Sequence, residues 1–185
     1  TALMGLSVGV YLGTSAVFQI LVGPLSDRIG RRTVSLWALI IFIVVSISCV
    51  YAPNTFVFMC LRALQAIAAC TFVVARAIVR DTTETQASGS KIAYISMGTA
   101  ICPMFGPALG GLMDGWFGWE ANFWFIGGLG FLILVIAYFD LGETVPENTQ
   151  GFRQQFSEYP ELLLSRRFWG YCLASAFGAG AFFAY

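Results

Sequence analysis

The chain has 185 residues, of which 58% are hydrophobic and only 11% are charged. A soluble domain usually carries about a quarter charged residues, so this composition indicates helices in lipid rather than a water-soluble fold. The ten basic and ten acidic residues balance, and nothing indicates nucleic acid as a partner. Because there is no His and no Cys-x-x-Cys pair among the five cysteines, we expect no metal, no cofactor and no thiol–imidazole catalysis.

Five stretches are long and apolar enough to cross a bilayer, which takes ~20 residues for ~30 Å of hydrocarbon. The sequence predicts them at about residues 2–22, 33–51, 55–79, 92–113 and 122–139, and a further one begins near residue 168. In the first, three glycines lie four apart and predict a face for a closely packed neighbouring helix: Gly5, Gly9 and Gly13. The expected fold is therefore all-α, a polytopic membrane helix bundle.

Basic residues alternate between the connections. The connections at 23–32, 80–91 and 140–167 hold eight of the ten, whereas those at 52–54 and 114–121 hold none. The positive-inside rule then places the first three in the cytoplasm. Tryptophans cluster at the opposite end of the bundle, where an aromatic belt is expected: Trp116, Trp119 and Trp124. We expect a multi-pass protein of the inner (plasma) membrane.

The segment 140–167 is the longest polar stretch and is rich in Glu, Gln, Pro and Arg. This composition is typical of a linker between two bundles, with a short surface helix expected around residues 152–164. The chain starts with Thr and ends inside an apolar run, so we expect a fragment. Its predicted parts are a transmembrane bundle at 1–139, a cytoplasmic linker at 140–167 and the start of a second bundle at 168–185.

The connection after the first span reads Gly-Pro-Leu-Ser-Asp-Arg-Ile-Gly-Arg-Arg, residues 23–32. We expect Gly23 to allow a tight helix exit and Gly30 to adopt a positive φ. Asp27 can cap a helix start or face the positive end of a neighbouring helix. Three arginines are expected in the headgroup zone: Arg28, Arg31 and Arg32. The segment resembles the loop signature of the major facilitator superfamily, where it joins helices two and three on the cytoplasmic side.

The third span carries Leu-Arg-Ala-Leu-Gln at residues 61–65. An arginine inside a bilayer costs at least ~2.5–3.5 kcal/mol, so Arg62 must face protein or water. The segment resembles the superfamily motif R-x-x-Q-G, with Ala66 in place of Gly. The resemblance implies that Arg62 acts in proton coupling and that Gln65 lies with it at the cavity. The alternative is a structural arginine paired with backbone carbonyls or a neighbouring carboxylate. The complete spans hold no Asp or Glu in their interiors, so a carboxylate partner on a missing first helix is expected.

Small residues share one face of the fourth span, and two prolines there remove backbone donors and bend the helix. The segment 98–111 resembles the antiporter signature that separates drug/proton antiporters from many other members of the superfamily, with Cys102 in place of its leading Gly. Such a bent helix can pack against a helix of the other half and rock; the alternative is an ordinary kinked packing helix. The motif positions are Gly98, Pro103, Gly106, Pro107, Gly110 and Gly111.

The resemblance also implies a cytoplasmic charge relay between Asp27, Arg31 and Asp81, the acid that closes the third span. We expect the three within salt-bridge reach, as exposed pairs worth ~0–1 kcal/mol each. Such a relay would form a latch of modest strength. The alternative is three solvated charges. Other candidates to line the cavity, besides Arg62 and Gln65, are Tyr11, Gln19 and Met97.

Residues 75–81, 165–168 and 182–185 are similar to the bicyclomycin-resistance-like (Bcr/CflA) exporters. The resemblance covers helices two to six plus the start of seven, and it implies proton-coupled export of small amphipathic drugs by alternating access rather than an enzyme. The implied partners are protons, drug-like substrates, the lipid bilayer, and the missing first helix and C-terminal half, without which the fragment is expected to be inactive. Three alternatives stay open: a metabolite or sugar transporter of the same fold, an intramembrane enzyme, and a structural subunit of a membrane complex.

Overall fold

The computed structural model describes residues 2–83, 85–142 and 164–183, and the regular elements in these ranges are all helical, which confirms the all-α class. Within these ranges, five spans are long and apolar enough to cross a membrane, judged by length and composition. The helices are α1 (Ala2–Ile29), α2 (Arg31–Val50), α3 (Thr55–Gln65), α4 (Cys70–Thr82), α5 (Thr85–Phe117), α6 (Trp119–Asp140) and α7 (Arg166–Phe183), and a 3₁₀ turn at Ala66–Ala69 joins α3 to α4 within one span.

The helices extend further than their apolar stretches predict. α1 runs through Gly23 to Ile29, so the expected helix exit at Gly23 is wrong, and the predicted loop at 23–32 shrinks to a break at Gly30. Gly30 has the expected positive φ, 109°. The apolar run marks only the hydrocarbon-spanning part of a helix, whereas the backbone hydrogen bonds continue until a residue permits reversal. Gly118, with a φ of 84°, makes the equivalent break between α5 and α6.

The helices α2 and α6 approach each other closely at two glycines that the sequence patterns did not single out. A methyl group added at Gly130 would lie 3.1 Å from Cδ1 of Phe42 and 3.2 Å from Cγ1 of Ile43. At Gly127, one turn earlier, the nearest atom would be Cγ1 of Ile47 at 3.6 Å. Glycine therefore lets side chains of α2 lie directly against the backbone of α6, the kind of close approach that small residues permit in membranes.

The close packing predicted for the first span is not present in the described part of the chain. Methyl groups added at its three glycines would meet no described atom within 4 Å. α1 packs instead through a cluster of Val22, Cys70 and Val74, with Phe18 and Val34 against it. This cluster joins α1 to α2 and α4, and it holds the last turns of α1 and α4 at the same end of the bundle.

Contacts divide the chain into two units, Thr1–Pro146 and Glu147–Tyr185. The first contains α1 to α6. In the second, the structure describes α7, which follows Ser165; the Ser165 hydroxyl accepts a hydrogen bond from the Phe168 N–H at 3.5 Å. Most of the predicted linker, including the surface helix at 152–164, falls on residues 143–163, outside the described residues. The division at 139 and 167 therefore stays a prediction.

Replacing Gly130 with alanine should destabilise the protein. The added methyl would press on Phe42 and Ile43, and overpacking of this kind costs about 1–3 kcal/mol. The matched control is Gly128→Ala, because Gly128 is exposed on the same helix and a methyl there would meet no atom of the described residues within 4 Å. Thermal unfolding in detergent, followed by tryptophan fluorescence, should show a lower melting temperature for Gly130→Ala only; equal shifts for both variants would contradict the packing argument.

Candidate functional site

An ion-pair cluster lies where α1, α2 and α4 meet. Arg31 opens α2, and its Nη2 donates to Oδ1 of Asp27 in the last turns of α1 at 3.0 Å. Its Nη1 donates to Oδ2 of Asp81 near the end of α4. The break at Gly30 places Asp27 and Arg31 side by side on consecutive helices, and the apolar cluster beneath brings α4 up to them.

The structure shows the expected proximity of Asp27, Arg31 and Asp81, but the expected exposure is wrong. The Arg31 side chain is 3% exposed, and those of Asp27 and Asp81 are 26% and 19% exposed. Three helices enclose the guanidinium, so it is held in protein rather than in the headgroup zone. Removing one partner of a buried pair is far more destabilising than breaking an exposed pair, because a charge is left desolvated. The gating role of this cluster stays a prediction.

The other arginines of the loop signature behave differently from one another. Arg28 is exposed, as expected for a headgroup residue. Arg32 instead contacts α6: its Nη2 donates to the backbone oxygen of Tyr138 at 3.0 Å, and its guanidinium lies 5.5 Å from the centre of the Tyr138 ring. The end of α6 is therefore tied to the start of α2, at the same end of the bundle as the ion-pair cluster.

Aromatic side chains gather at the opposite end. Phe123 near the start of α6 contacts Phe58 near the start of α3, with ring centres 5.8 Å apart, and Trp119, with ring centres 5.9 Å apart. Asn54 caps α3 by accepting a hydrogen bond from the Val57 N–H at 2.9 Å. The ion-pair cluster thus lies at one end of the bundle and this aromatic cluster at the other, which is the arrangement that the positive-inside rule and the aromatic belt describe.

Arg62 is held inside the third span by an amide and an aromatic ring. Its Nη1 donates to Oε1 of Gln65 at 2.5 Å, and its guanidinium lies 5.3 Å from the centre of the Tyr11 ring. Gln65 in turn donates from Nε2 to Oγ of Ser46 in α2 at 2.8 Å. Gln65 is 1% exposed, so the expectation that it lines an open cavity is wrong: it lies buried between α2 and α3.

Arg62 itself borders a pocket of about 250 Å³ between α1, α3 and α6. This placement satisfies the requirement that a charge within a bilayer face protein or water. The pocket combines aromatic rings with a few polar groups, and its lining residues are Ser7, Phe58, Arg62, Asn122, Phe123 and Ile126. The remaining cavity candidates lie elsewhere: Gln19 lines a separate pocket of about 410 Å³, and Met97 is 54% exposed on α5.

The antiporter-signature residues lie along α5, which contains both Pro103 and Pro107 without a break. In the described part of the chain, methyl groups added at Gly98, Gly106 and Gly111 would meet no atom within 4 Å. At Gly110 a methyl group would lie 3.4 Å from Oδ1 of Asn122, a residue of the Arg62 pocket. Packing of this face against another half of the protein stays a prediction.

Among the residues of these sites that sequence patterns missed are Ser46, Asn122 and Tyr138. Ser46 lies 19 positions from Gln65, and its neighbour Ser48 makes the same kind of hydrogen bond to the preceding turn. Nothing local distinguishes the two serines. Asn122 is the one signal that could have been used, since it is a polar residue within the predicted span 122–139.

The fold and these sites together define a multi-span helical membrane protein with an ion-pair cluster at its basic end and an arginine, Arg62, within a span. Residues 1–185 match the Major Facilitator Superfamily, and the chain belongs to this family of membrane transporters.

Curated relatives include the Multidrug resistance protein MdtL of Escherichia coli O139:H28, of Shigella boydii serotype 18 and of Shigella flexneri serotype 5b. This chain is 32% identical to each of them over 168 residues, which cover 90% of this chain and 43% of the relative. The chain therefore spans less than half the length of these relatives.

Removing the Arg31 guanidinium should destabilise the bundle strongly. Arg31→Ala leaves two partly buried carboxylates facing each other, and we expect a loss of about 3 kcal/mol, the lower end of the range for broken buried pairs. The matched control is Arg80→Ala, because the Arg80 side chain is 70% exposed and its Nε lies 3.5 Å from Asp81. Unfolding of each variant in mixed detergent micelles measures the change. Similar small losses for both variants would show that the Arg31 cluster behaves as a solvated pair.

Proposed function

We propose that the intact protein exports small amphipathic drug-like molecules in exchange for protons by alternating access, as a Bcr/CflA-type member of its superfamily. The observation that carries this proposal is Arg62, an intramembrane arginine held by a buried amide at the edge of a pocket. Intramembrane charges are retained at a cost and mark substrate, ion and proton pathways. The similarity to relatives named for multidrug resistance supports the choice of cargo.

The pocket chemistry suits an amphipathic cargo. Phe58 and Phe123 offer aromatic surface, Asn122 offers an amide, and Arg62 offers a fixed positive charge. Binding sites for small molecules have this composition, with mostly apolar walls and a few convergent polar groups. Protonation of a carboxylate near Arg62 would change the charge balance at the pocket, and that change couples proton entry to release of the cargo. Such a carboxylate would come from a part of the transporter beyond this chain.

Gating would use the ion-pair cluster at the basic end. In alternating access, one half of the transporter rocks against the other around a central site. Arg31 ties the ends of α1, α2 and α4 into one body through Asp27 and Asp81. In our proposal this body moves as a unit and carries the antiporter face of α5 against the second half. Residues 1–139 form the first bundle, 140–167 the linker, and 168–185 the start of the second bundle.

The proposed topology places the basic end, with connections 23–32, 80–91 and 140–167, in the cytoplasm of an inner (plasma) membrane. Single-cysteine variants in a cysteine-free background test this. Thr82→Cys lies at the basic end and Pro53→Cys at the opposite end, and both positions are exposed. A membrane-impermeant maleimide added to intact cells should label only Pro53→Cys. Labelling of Thr82→Cys alone would show that the protein has the opposite orientation in the membrane.

The coupling role of Arg62 is tested in the intact transporter expressed in drug-sensitive cells. We expect proton-gradient-dependent efflux of a panel of amphipathic dyes and drugs, beginning with ethidium, which stops when an uncoupler is added. Arg62→Ala should abolish most of this efflux, because it removes an intramembrane charge of the kind that marks proton pathways. Arg80→Ala is the control, since it removes an exposed arginine from the same span.

Efflux that depends on the gradient but survives Arg62→Ala would make Arg62 structural. Absence of efflux for every panel member, with normal amounts of protein in the membrane, would instead favour a metabolite carrier of the same fold.

A further inference from the structure

A directional chain of hydrogen bonds runs from Arg62 through Gln65 to Ser46 and ends on the backbone of α2. We propose that Ser46 and Gln65 are positioning residues for Arg62, with Ser46 fixing the direction in which the Gln65 amide points. This inference rests on the proposed coupling role of Arg62. It assigns a role in transport to Ser46, a residue outside the motifs.

The direction follows from the single hydrogen of the Ser46 hydroxyl. That hydrogen is donated to the backbone oxygen of Phe42, 2.6 Å away, so Oγ of Ser46 is left as an acceptor. Nε2 of Gln65 donates to it at 2.8 Å. The opposite end of the amide, Oε1, then points to Arg62 and accepts from Nη1 at 2.5 Å. A reversed amide would set its NH₂ group against the guanidinium, with donors facing donors.

Burial of Ser46 and Gln65 favours this one orientation of the Gln65 amide. Ser46 is 0% exposed and Gln65 is 1% exposed, so water cannot replace a lost partner. An unpaired buried amide group costs about 1–3 kcal/mol. α6 closes the site from the other side, since a methyl group added at Gly127 would lie 4.0 Å from Cβ of Ser46. The packed glycine face of α6 therefore helps to shield the Ser46–Gln65 hydrogen bond from water.

The hydrogen-bond chain also passes through the irregular point of the third span. Gln65 is the last residue of α3, and the 3₁₀ turn Ala66–Ala69 follows directly. Short 3₁₀ stretches inside a helix often mark functional hinges. The Gln65 amide anchors this point to α2, and the Tyr11 ring in α1 supports the guanidinium 5.3 Å from its centre. Arg62 is thus positioned by three helices rather than by its own helix alone.

The position of the guanidinium matters because its effect on a nearby carboxylate varies inversely with distance. Loss of Ser46 frees the Gln65 amide to rotate, and Arg62 loses its fixed acceptor. Ser46→Ala should therefore shift the pH midpoint of efflux in the same direction as Arg62→Ala, by a smaller amount. We expect roughly a tenfold loss of proton-driven efflux, within the 10²-fold that a misplacement of ~1 Å can cost.

The experiment uses the intact transporter in proteoliposomes with an imposed pH gradient, and ethidium as the first probe. Ser48→Ala is the matched control, because the Ser48 hydroxyl donates to the backbone oxygen of Val44 at 2.7 Å on the same helix. A double variant, Ser46→Ala with Gln65→Leu, separates positioning from stability. It removes the Ser46–Gln65 hydrogen bond from both sides, so that no buried amide is left unpaired, and it leaves Arg62 with the Tyr11 ring and the pocket but without its amide acceptor.

The proposal is supported if Ser46→Ala and the double variant both shift the pH midpoint, Ser48→Ala does not, and the double variant melts no lower than Ser46→Ala. A shift for Arg62→Ala with none for Ser46→Ala would overturn the positioning role and leave the proposed function standing. A double variant with the original pH profile would show that Ser46 acts only on stability. Unchanged profiles for both Arg62→Ala and Ser46→Ala would overturn this inference together with the coupling role.

Discussion

A guanidinium group cannot be left unpaired in hydrocarbon, and the arrangement of α1 to α4 follows from that constraint. Arg31 is the first residue of α2, at the basic end of the bundle, whereas Arg62 lies in α3, in the first half of the third span. Each is enclosed by three helices: Arg31 by α1, α2 and α4, and Arg62 by α1, α3 and, through Gln65, α2. Because each charge needs partners from several helices, the two sites fix which helices are neighbours.

Close packing between α2 and α6 completes this arrangement. Gly127 and Gly130 let α6 lie against Ser46, Ile47 and Phe42, so the polar chain below Arg62 stays covered. Arg32 ties the two helices again at the basic end through Tyr138. α2 and α6 are therefore held together both by close apolar packing at the two glycines and by the hydrogen bond from Arg32 to the Tyr138 backbone. Elsewhere on the described bundle many large apolar side chains are exposed, and such side chains need no polar partner in a bilayer.

Much of the fold could be predicted because its signals are local. Apolar runs of about 20 residues, the alternation of basic connections and the positive φ at Gly30 can all be read along the sequence, without knowing which helices are neighbours. The proximity of Asp27, Arg31 and Asp81 could be anticipated only from the family resemblance. The apolar stretches are shorter than the helices that contain them, because backbone hydrogen bonding continues beyond the apolar residues, as α1 does to Ile29. The spacing of glycines predicts close packing on α1, whereas the structure shows it at Gly127 and Gly130 of α6. A four-residue spacing identifies a face of small residues but does not specify whether another helix packs against it.

The sequence by itself determined the number and order of the spans, their charge alternation and the presence of an arginine that the bilayer forces into a site. Only the tertiary structure decided what holds each charge. Arg31 is buried rather than exposed because three helices converge on it. Gln65 is buried and joins Arg62 to α2, because its Nε2 donates a hydrogen bond to Oγ of Ser46 at 2.8 Å. Hydrogen-bond partners many residues apart are chosen by packing, and packing is a property of the assembled bundle that no short stretch of sequence carries.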